Sequence, residues 1–229
     1  MKRLVFDSGP IISLTTNNLL WLIEPLKRRF NGAFSITEAV HYELVKRPLQ
    51  TKKFKFEALQ VEALVESGVL EVLPSEPLRA RADKIMALAN SAFETRNEPI
   101  RILQLGEVET LAAASLANAE GIVIDERITR NLVEKPYALA DLLSNRLHTS
   151  VHTHTDVLDQ LKGIIGEPTI LRSIELVTLA YEFGLLDKYK VRVPNVNKEL
   201  LESLLWGVKL HGCSVSEREI EQLMKTVLK

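Results

Sequence analysis

At 229 residues, 46% hydrophobic and 26% charged, the chain carries enough apolar material to bury a full core as one large domain, or one domain with an appendage. No run approaches the roughly 18 apolar residues of a membrane span, and the first hydrophobic run, LVF, is too short for a secretory signal, so a cytoplasmic protein with no membrane partner is expected. A formal net charge of −1 supplies no global field to draw in nucleic acid, and the lone Cys213 excludes an internal disulfide and a cysteine-rich zinc site.

Taken in chain order, Lys2 to Phe6 reads as a short strand, and Asp7 closes it before a Ser8-Gly9-Pro10 turn. Pro10 suits the first turn of the helix that follows. A second helix is expected from about Leu19 to Phe30. Thr37 then caps a third, in which TEAVHYELVK places Val40 and Leu44 on one face with Glu43 at its border. The segment from Phe54 to Ser67 is amphipathic and ends at Gly68, and VLEVL alternates as a strand. After Pro74 and Pro77, Arg79 to Phe93 is alanine-rich and helical, and TRNEPIRILQLG reads as a polar, mobile connector. On the next helix Val108, Leu111, Ala112, Ser115 and Leu116 form the inward stripe, which Glu107 and Glu109 flank about equally. Gly121 ends that helix, IVI is a second apolar strand, and Asp125 stands to it as Asp7 stands to the first. Beyond it the chain turns largely helical, near 137–148, 170–184, 197–210 and 216–228.

Each acid has an ordinary structural use. Asp7 can cap a turn, Glu107 can complement a helix dipole, and Glu43 can be a solvated surface acid. Their joint placement points elsewhere. A parallel α/β sheet gathers ligand groups at the carboxyl ends of its strands, which is where Asp7 and Asp125 fall, and clustered carboxylates without cations take up hard divalent ions. Arg127 and Arg130 lie one helical turn apart just past Asp125, placed to hold a phosphate. In KRPLQTKKFKF, Lys46, Arg47, Lys52, Lys53 and Lys55 accompany Phe54 and Phe56, a pattern that either tracks a nucleic-acid backbone or marks a solvated helix start over two core phenylalanines, and the second reading is preferred. His148, His152 and His154 lie in a Thr-rich stretch without helical spacing, and a zinc site there is disfavoured. Phosphate-loop, dinucleotide-binding and DxDxT phosphatase motifs are missing from the sequence.

VFDSGPIISL, ITEAVHYEL and LGEVETLAAASLANAEGIVIDERITR, in that order over about the first 135 residues, resemble the acidic elements of a PIN domain. RSIELVTLAYEFGLL and LLWGVKLHGCSVSEREIEQL are similar to the C-terminal helices of longer prokaryotic, especially archaeal, members. The resemblance implies a three-layer α/β fold, with a short, mainly parallel central sheet flanked by helices and a helical C-terminal extension. Residues 1–150 would form the nuclease domain, with a helical insertion near 49–105, and residues 151–229 the extension packed on it. It further implies that Asp7, Glu43, Glu107 and Asp125 bind Mg²⁺ or Mn²⁺ and catalyse phosphodiester hydrolysis, with Glu109 and Glu126 as alternates to Glu107 and Asp125. Ser8, Thr37, Arg127 and Arg130 would support substrate binding. The implied activity is a metal-dependent ribonuclease acting on single-stranded or structured RNA, with a homodimer and an antitoxin-like protein partner left open. A non-catalytic module binding RNA or protein, and a toxin of a toxin–antitoxin pair, are the alternatives; the long insertion and tail depart from compact toxins.

Overall fold

Alternation in the first strand sends Leu4 and Phe6 to one side of a sheet and Val5 to the other, and two separate hydrophobic cores receive them. The structure, a computed structural model, describes residues 2–228. In chain order its first elements are β1 Arg3–Phe6, α1 Ser8–Thr16, α2 Ile23–Phe30, β2 Ala33–Thr37 and α3 Glu38–His41, the last running into a π-helical turn over Tyr42–Lys46. Then come α4 Arg47–Leu49, α5 Lys55–Glu66, β3 Glu71–Leu73, α6 Arg79–Ser91, β4 Phe93–Thr95, β5 Glu98–Pro99, α7 Leu105–Leu116 and β6 Gly121–Val123. The remainder is α8 Arg127–Glu134, α9 Leu139–Leu147, β7 His152–Thr153, α10 Thr155–Ile165, β8 Thr169–Leu171, α11 Ser173–Glu182, α12 Val196–Leu210 and α13 Glu217–Val227.

The central sheet has the order β3-β2-β1-β6-β8 and every pairing in it is parallel. On one side, Phe6, Phe34 and Ile36 pack against residues of α1, α2, α11 and α12; on the other, Val5, Ile122 and Ile124 meet α6, α7 and α10. This is a three-layer α/β fold with C-terminal helices in its first core. Strand order reverses at β1: the chain continues to β2 on one side, and β6 returns on the other. The carboxyl ends of β1 and β6 therefore open a crevice at the topological switch point, and Asp7 follows one strand while Asp125 closely follows the other. A small antiparallel sheet, β5-β4-β7, lies apart from it.

The chain departs from expectation in four places. AFSIT is a fully buried strand, β2, whose continuous burial gives no alternation to read. The insertion near 49–105 holds more strand than expected: β3 falls within VLEVL as read, but β4 and β5 in the small sheet are additional. The connector TRNEPIRILQLG begins with part of that β4–β5 pair, joined through Arg96 and Asn97, which both hold positive φ. The segment near 170–184 opens with the edge strand β8 before α11 begins, so the central sheet runs past residue 150 into the part read as largely helical. Among the described residues, no helix is long and apolar enough to cross a membrane.

Candidate metal centre

Asp7, Glu43, Glu107, Asp125 and Glu126 line one cavity of about 260 Å³ at the switch point, together with Ser8, Gly9, Gln104, Gly106 and Gly212. Five acidic residues line it, and among the described residues no Lys, Arg or His joins the lining. Two glycines keep it open. A methyl group on Gly9 would stand 3.5 Å from the Asp125 Cβ and 3.7 Å from Asp7 Oδ2, and one on Gly106 would stand 3.5 Å from Glu43 Oε2.

Each acid arrives by a different local device. The Asp7 backbone N–H extends the β1–β6 ladder to the Val123 carbonyl at 2.9 Å, and its carboxylate caps α1, with Gly9 N donating to Oδ2 at 3.4 Å. Burial first, then the charge on Glu107 and more weakly that on Glu43, push its carboxyl up to about 7 against the backbone hydrogen bonds. Glu107 stands in the first turn of α7. It accepts from Gln104 N at 2.6 Å and from Thr129 Oγ1 at 2.9 Å, yet burial and the nearby Glu126 and Glu43 still raise its pKa. Glu43 is half-buried on the π-helical turn, a local insertion common at functional sites.

Asp125 is the most firmly held. Ser173 N donates to Oδ1 at 2.7 Å, and the Ser13 and Ser173 hydroxyls donate to Oδ2 at 2.8 Å each. Ser214 N binds the Asp125 carbonyl at 3.1 Å, and Gly212, at φ +117, completes the cavity wall. The C-terminal part of the chain thus braces the acid that closes the switch point. Ser13, Ser173 and Gly212 went unnoticed in the sequence, where a lone serine or glycine carries no signal.

The alternates now separate. Glu109 turns away from the cavity and accepts from Ala39 N at 3.2 Å and Ser75 Oγ at 2.9 Å, tying α7 to the start of α3. Glu126 stays at the cavity while capping α8 through Thr129 N at 2.7 Å. Ser8 is buried and lines the cavity. Thr37 does not: fully buried, its hydroxyl accepts from Val40 N at 3.3 Å as the cap of α3, which leaves it no route to substrate. Arg127 is exposed and Arg130 half-buried, and neither lines the cavity. Arg172 pairs with Glu175 at 2.6 Å and Glu219 at 2.9 Å, binding α11 to α13.

The expectation for Phe54 and Phe56 is also corrected. They are 58% and 69% exposed, so neither is a core residue. Phe54 holds φ +62, an outlying conformation for a bulky side chain, and lines a second cavity of about 480 Å³ with Arg47, Lys52, Lys53, Ile12 and Leu44. Glu43 lines both cavities. An apolar, basic-rimmed groove therefore lies directly beside the carboxylates.

Residues 3–136 match the family described as PIN domain, and the chain belongs to it. The fold and the family together define a protein of nuclease type, from a family that engages nucleic acid. No curated protein and no solved structure matches the chain.

The two central aspartates should respond oppositely to substitution. Asp125→Ala leaves a buried N–H and two buried hydroxyls without their acceptor and should lower unfolding free energy by about 3 kcal/mol. Asp125→Asn keeps the acceptor for Ser173 N and should cost about 1 kcal/mol, whereas Asp7→Asn should not destabilise the metal-free protein at all. Urea titrations of the three variants in chelator test the ordering.

Proposed function

We propose that the chain is a divalent-metal-dependent ribonuclease whose carboxylate cavity holds Mg²⁺ or Mn²⁺. The observation that carries this reading is the set of five acidic residues around one switch-point cavity without a basic lining residue, with Asp7 and Glu107 held toward protonation by burial and by neighbouring acids. The donor set fits such ions, because carboxylate oxygens are the hard ligands that Mg²⁺ and Mn²⁺ prefer. When bound, the ion supplies positive charge to a phosphodiester and makes water a stronger nucleophile. Asp7, Glu43 and Glu107 are the ligands in this account. Asp125, held from two sides by Ser13 and Ser173, fixes the wall against which they are placed, and Glu126 sits beside it at the cavity. Residues 1–150 supply the acids and Ser13, and residues 151–229 supply Ser173 and pack on both cores.

The groove between α1 and the Lys46–Phe54 segment offers a path for single-stranded RNA. Phe54 presents a ring on which a base stacks, while Arg47, Lys52 and Lys53 meet the backbone; the nearby Glu43 places the adjoining phosphodiester at the acids. Phe54→Ala should weaken binding by about 1 kcal/mol or more. Lys52→Ala with Lys53→Ala should make the salt dependence of binding shallower, by about 1.4 in slope. Fluorescence anisotropy with labelled oligonucleotides reads both. A salt slope that changes in an Arg127→Ala/Arg130→Ala variant and not in the lysine variant would instead route RNA over α8.

The function itself is tested by incubating labelled single-stranded and structured RNAs with the protein and Mg²⁺ or Mn²⁺. Cleavage that needs the ion supports the enzyme. Tight RNA binding with no cleavage under any divalent ion would support the non-catalytic module.

A further inference from the structure

The strongest unassigned chemistry lies in the small antiparallel sheet, away from the carboxylate cavity. Residues two apart in an extended chain share a face, so His152 and His154 fall on one side of β7. The register pairs Glu94 of β4 directly with His152, and the His154 N–H bonds the Ala92 carbonyl at 2.9 Å, so the ladder continues to the second histidine. Directly opposed cross-strand residues have neighbouring side chains, and here the pairing brings three donors together. One imidazole nitrogen from each histidine and a Glu94 carboxylate oxygen all lie within 4.8 Å of one another, and the two rings meet edge-on with centroids 5.0 Å apart. His154 Nε2 stands 3.3 Å from Glu94 Oε2, longer than the roughly 2.7–2.9 Å of a tight charge-assisted hydrogen bond. Glu94 and His154 are half-buried and His152 is exposed, which holds the donors yet leaves a solvent approach.

We propose that Glu94, His152 and His154 form a second metal site, selective for an imidazole-preferring transition ion such as Zn²⁺, with water in the fourth position. Two imidazoles and one carboxylate are a recognised tetrahedral donor set for that ion, and hard Mg²⁺ ranks below it at such a site. Its place in the fold gives it a role. The ion would clamp β4 to β7, and β4 leads through β5 to Gln104, which caps α7 and lines the carboxylate cavity. The clamp would therefore fasten the insertion at the end from which Glu107 is presented. This site does not depend on the nuclease reading, because none of its ligands lines the carboxylate cavity.

Co²⁺ is the probe, because imidazole-rich tetrahedral sites colour it far more strongly than octahedral carboxylate and water sites. The untagged full chain, titrated with Co²⁺ in excess Mg²⁺, should develop visible absorption that saturates at one equivalent and is discharged by Zn²⁺. Asp7→Asn should leave that absorption unchanged. His152→Ala/His154→Ala should abolish it, and Glu94→Gln, which keeps the shape of the side chain, should weaken binding by more than the roughly 10–100-fold lost when an outer-shell partner is removed. Circular dichroism confirms that each variant is folded, and Glu94→Gln carries the test should the double variant unfold. No visible absorption in the wild-type protein would overturn the proposal, as would absorption that survives in the histidine variant or an affinity unchanged in Glu94→Gln.

Discussion

Asp7→Asn is expected to lower the rate of RNA cleavage by at least about a thousandfold, near 4 kcal/mol of barrier, while RNA affinity changes by less than about threefold. The substitution is isosteric, and the amide oxygen still accepts from Gly9 N, so the cap on α1 survives. What goes is a negative charge in a cavity where Asp7, Glu107 and Glu43 act on one another through space. The groove lined by Phe54, Lys52 and Lys53 is untouched by it. Single-turnover cleavage read beside binding by anisotropy separates the two effects. An equal loss of affinity and rate would mean that Asp7 organises the groove rather than the ion.

The second large effect is on stability and carries a defined sign. Burial and the neighbouring acids move the Asp7 carboxyl from 3.8 to about 7, so the folded state binds that proton more tightly than the unfolded chain does. Its contribution to stability is complete below about pH 4 and is lost as pH rises through 7. At about 1.36 kcal/mol for each tenfold change in proton affinity, the ceiling is roughly 4 kcal/mol. Glu107, raised for similar reasons, acts in the same direction. In chelator, therefore, the wild type should lose stability relative to Asp7→Asn between pH 5 and 8. Millimolar Mn²⁺ should restore it at pH 8, raising the Tm of the wild type and not of Asp7→Asn, because an ion that binds only the folded state stabilises it. Denaturant titrations at the two pH values, with and without Mn²⁺, read the difference directly. A wild type minus variant difference that stays flat with pH in chelator would contradict the assigned burial of charge.

How much of this was legible in the sequence follows from what each residue needed. Asp7 and Asp125 could be placed because each follows a short apolar run, and a strand end is a local feature. Glu107 could not be separated from Glu109, because both flank the same helical stripe and burial takes in both; only the partners, Thr129 and Gln104 for one, Ala39 and Ser75 for the other, divide them. The brace on Asp125 was invisible, since Ser13 and Ser173 lie 112 and 48 residues from it along the chain. Strands β2 and β8 escaped for a related reason: pairing with β1 and β6 makes them strands, and their own short sequences show little alternation. Histidine spacing could not show Glu94, which lies on a neighbouring strand and comes within 4.8 Å of His152 and His154 only through the pairing of β4 with β7. Phe54 and Phe56 misled in the other direction. Alternating Lys and Phe fits a half-buried segment, yet this one stands out from the core and leaves both rings exposed.

In the proposed function Asp7, Glu43 and Glu107 hold a divalent ion in the switch-point cavity that Asp125 and Glu126 also line. Anomalous diffraction from crystals grown in Mn²⁺ tests that most directly. The predicted result is a Mn²⁺ peak in the cavity in contact with Asp7 and Glu107, and its loss in Asp7→Asn crystals. A well-ordered cavity without a peak at millimolar Mn²⁺, or a peak equally strong in Asp7→Asn, would contradict it.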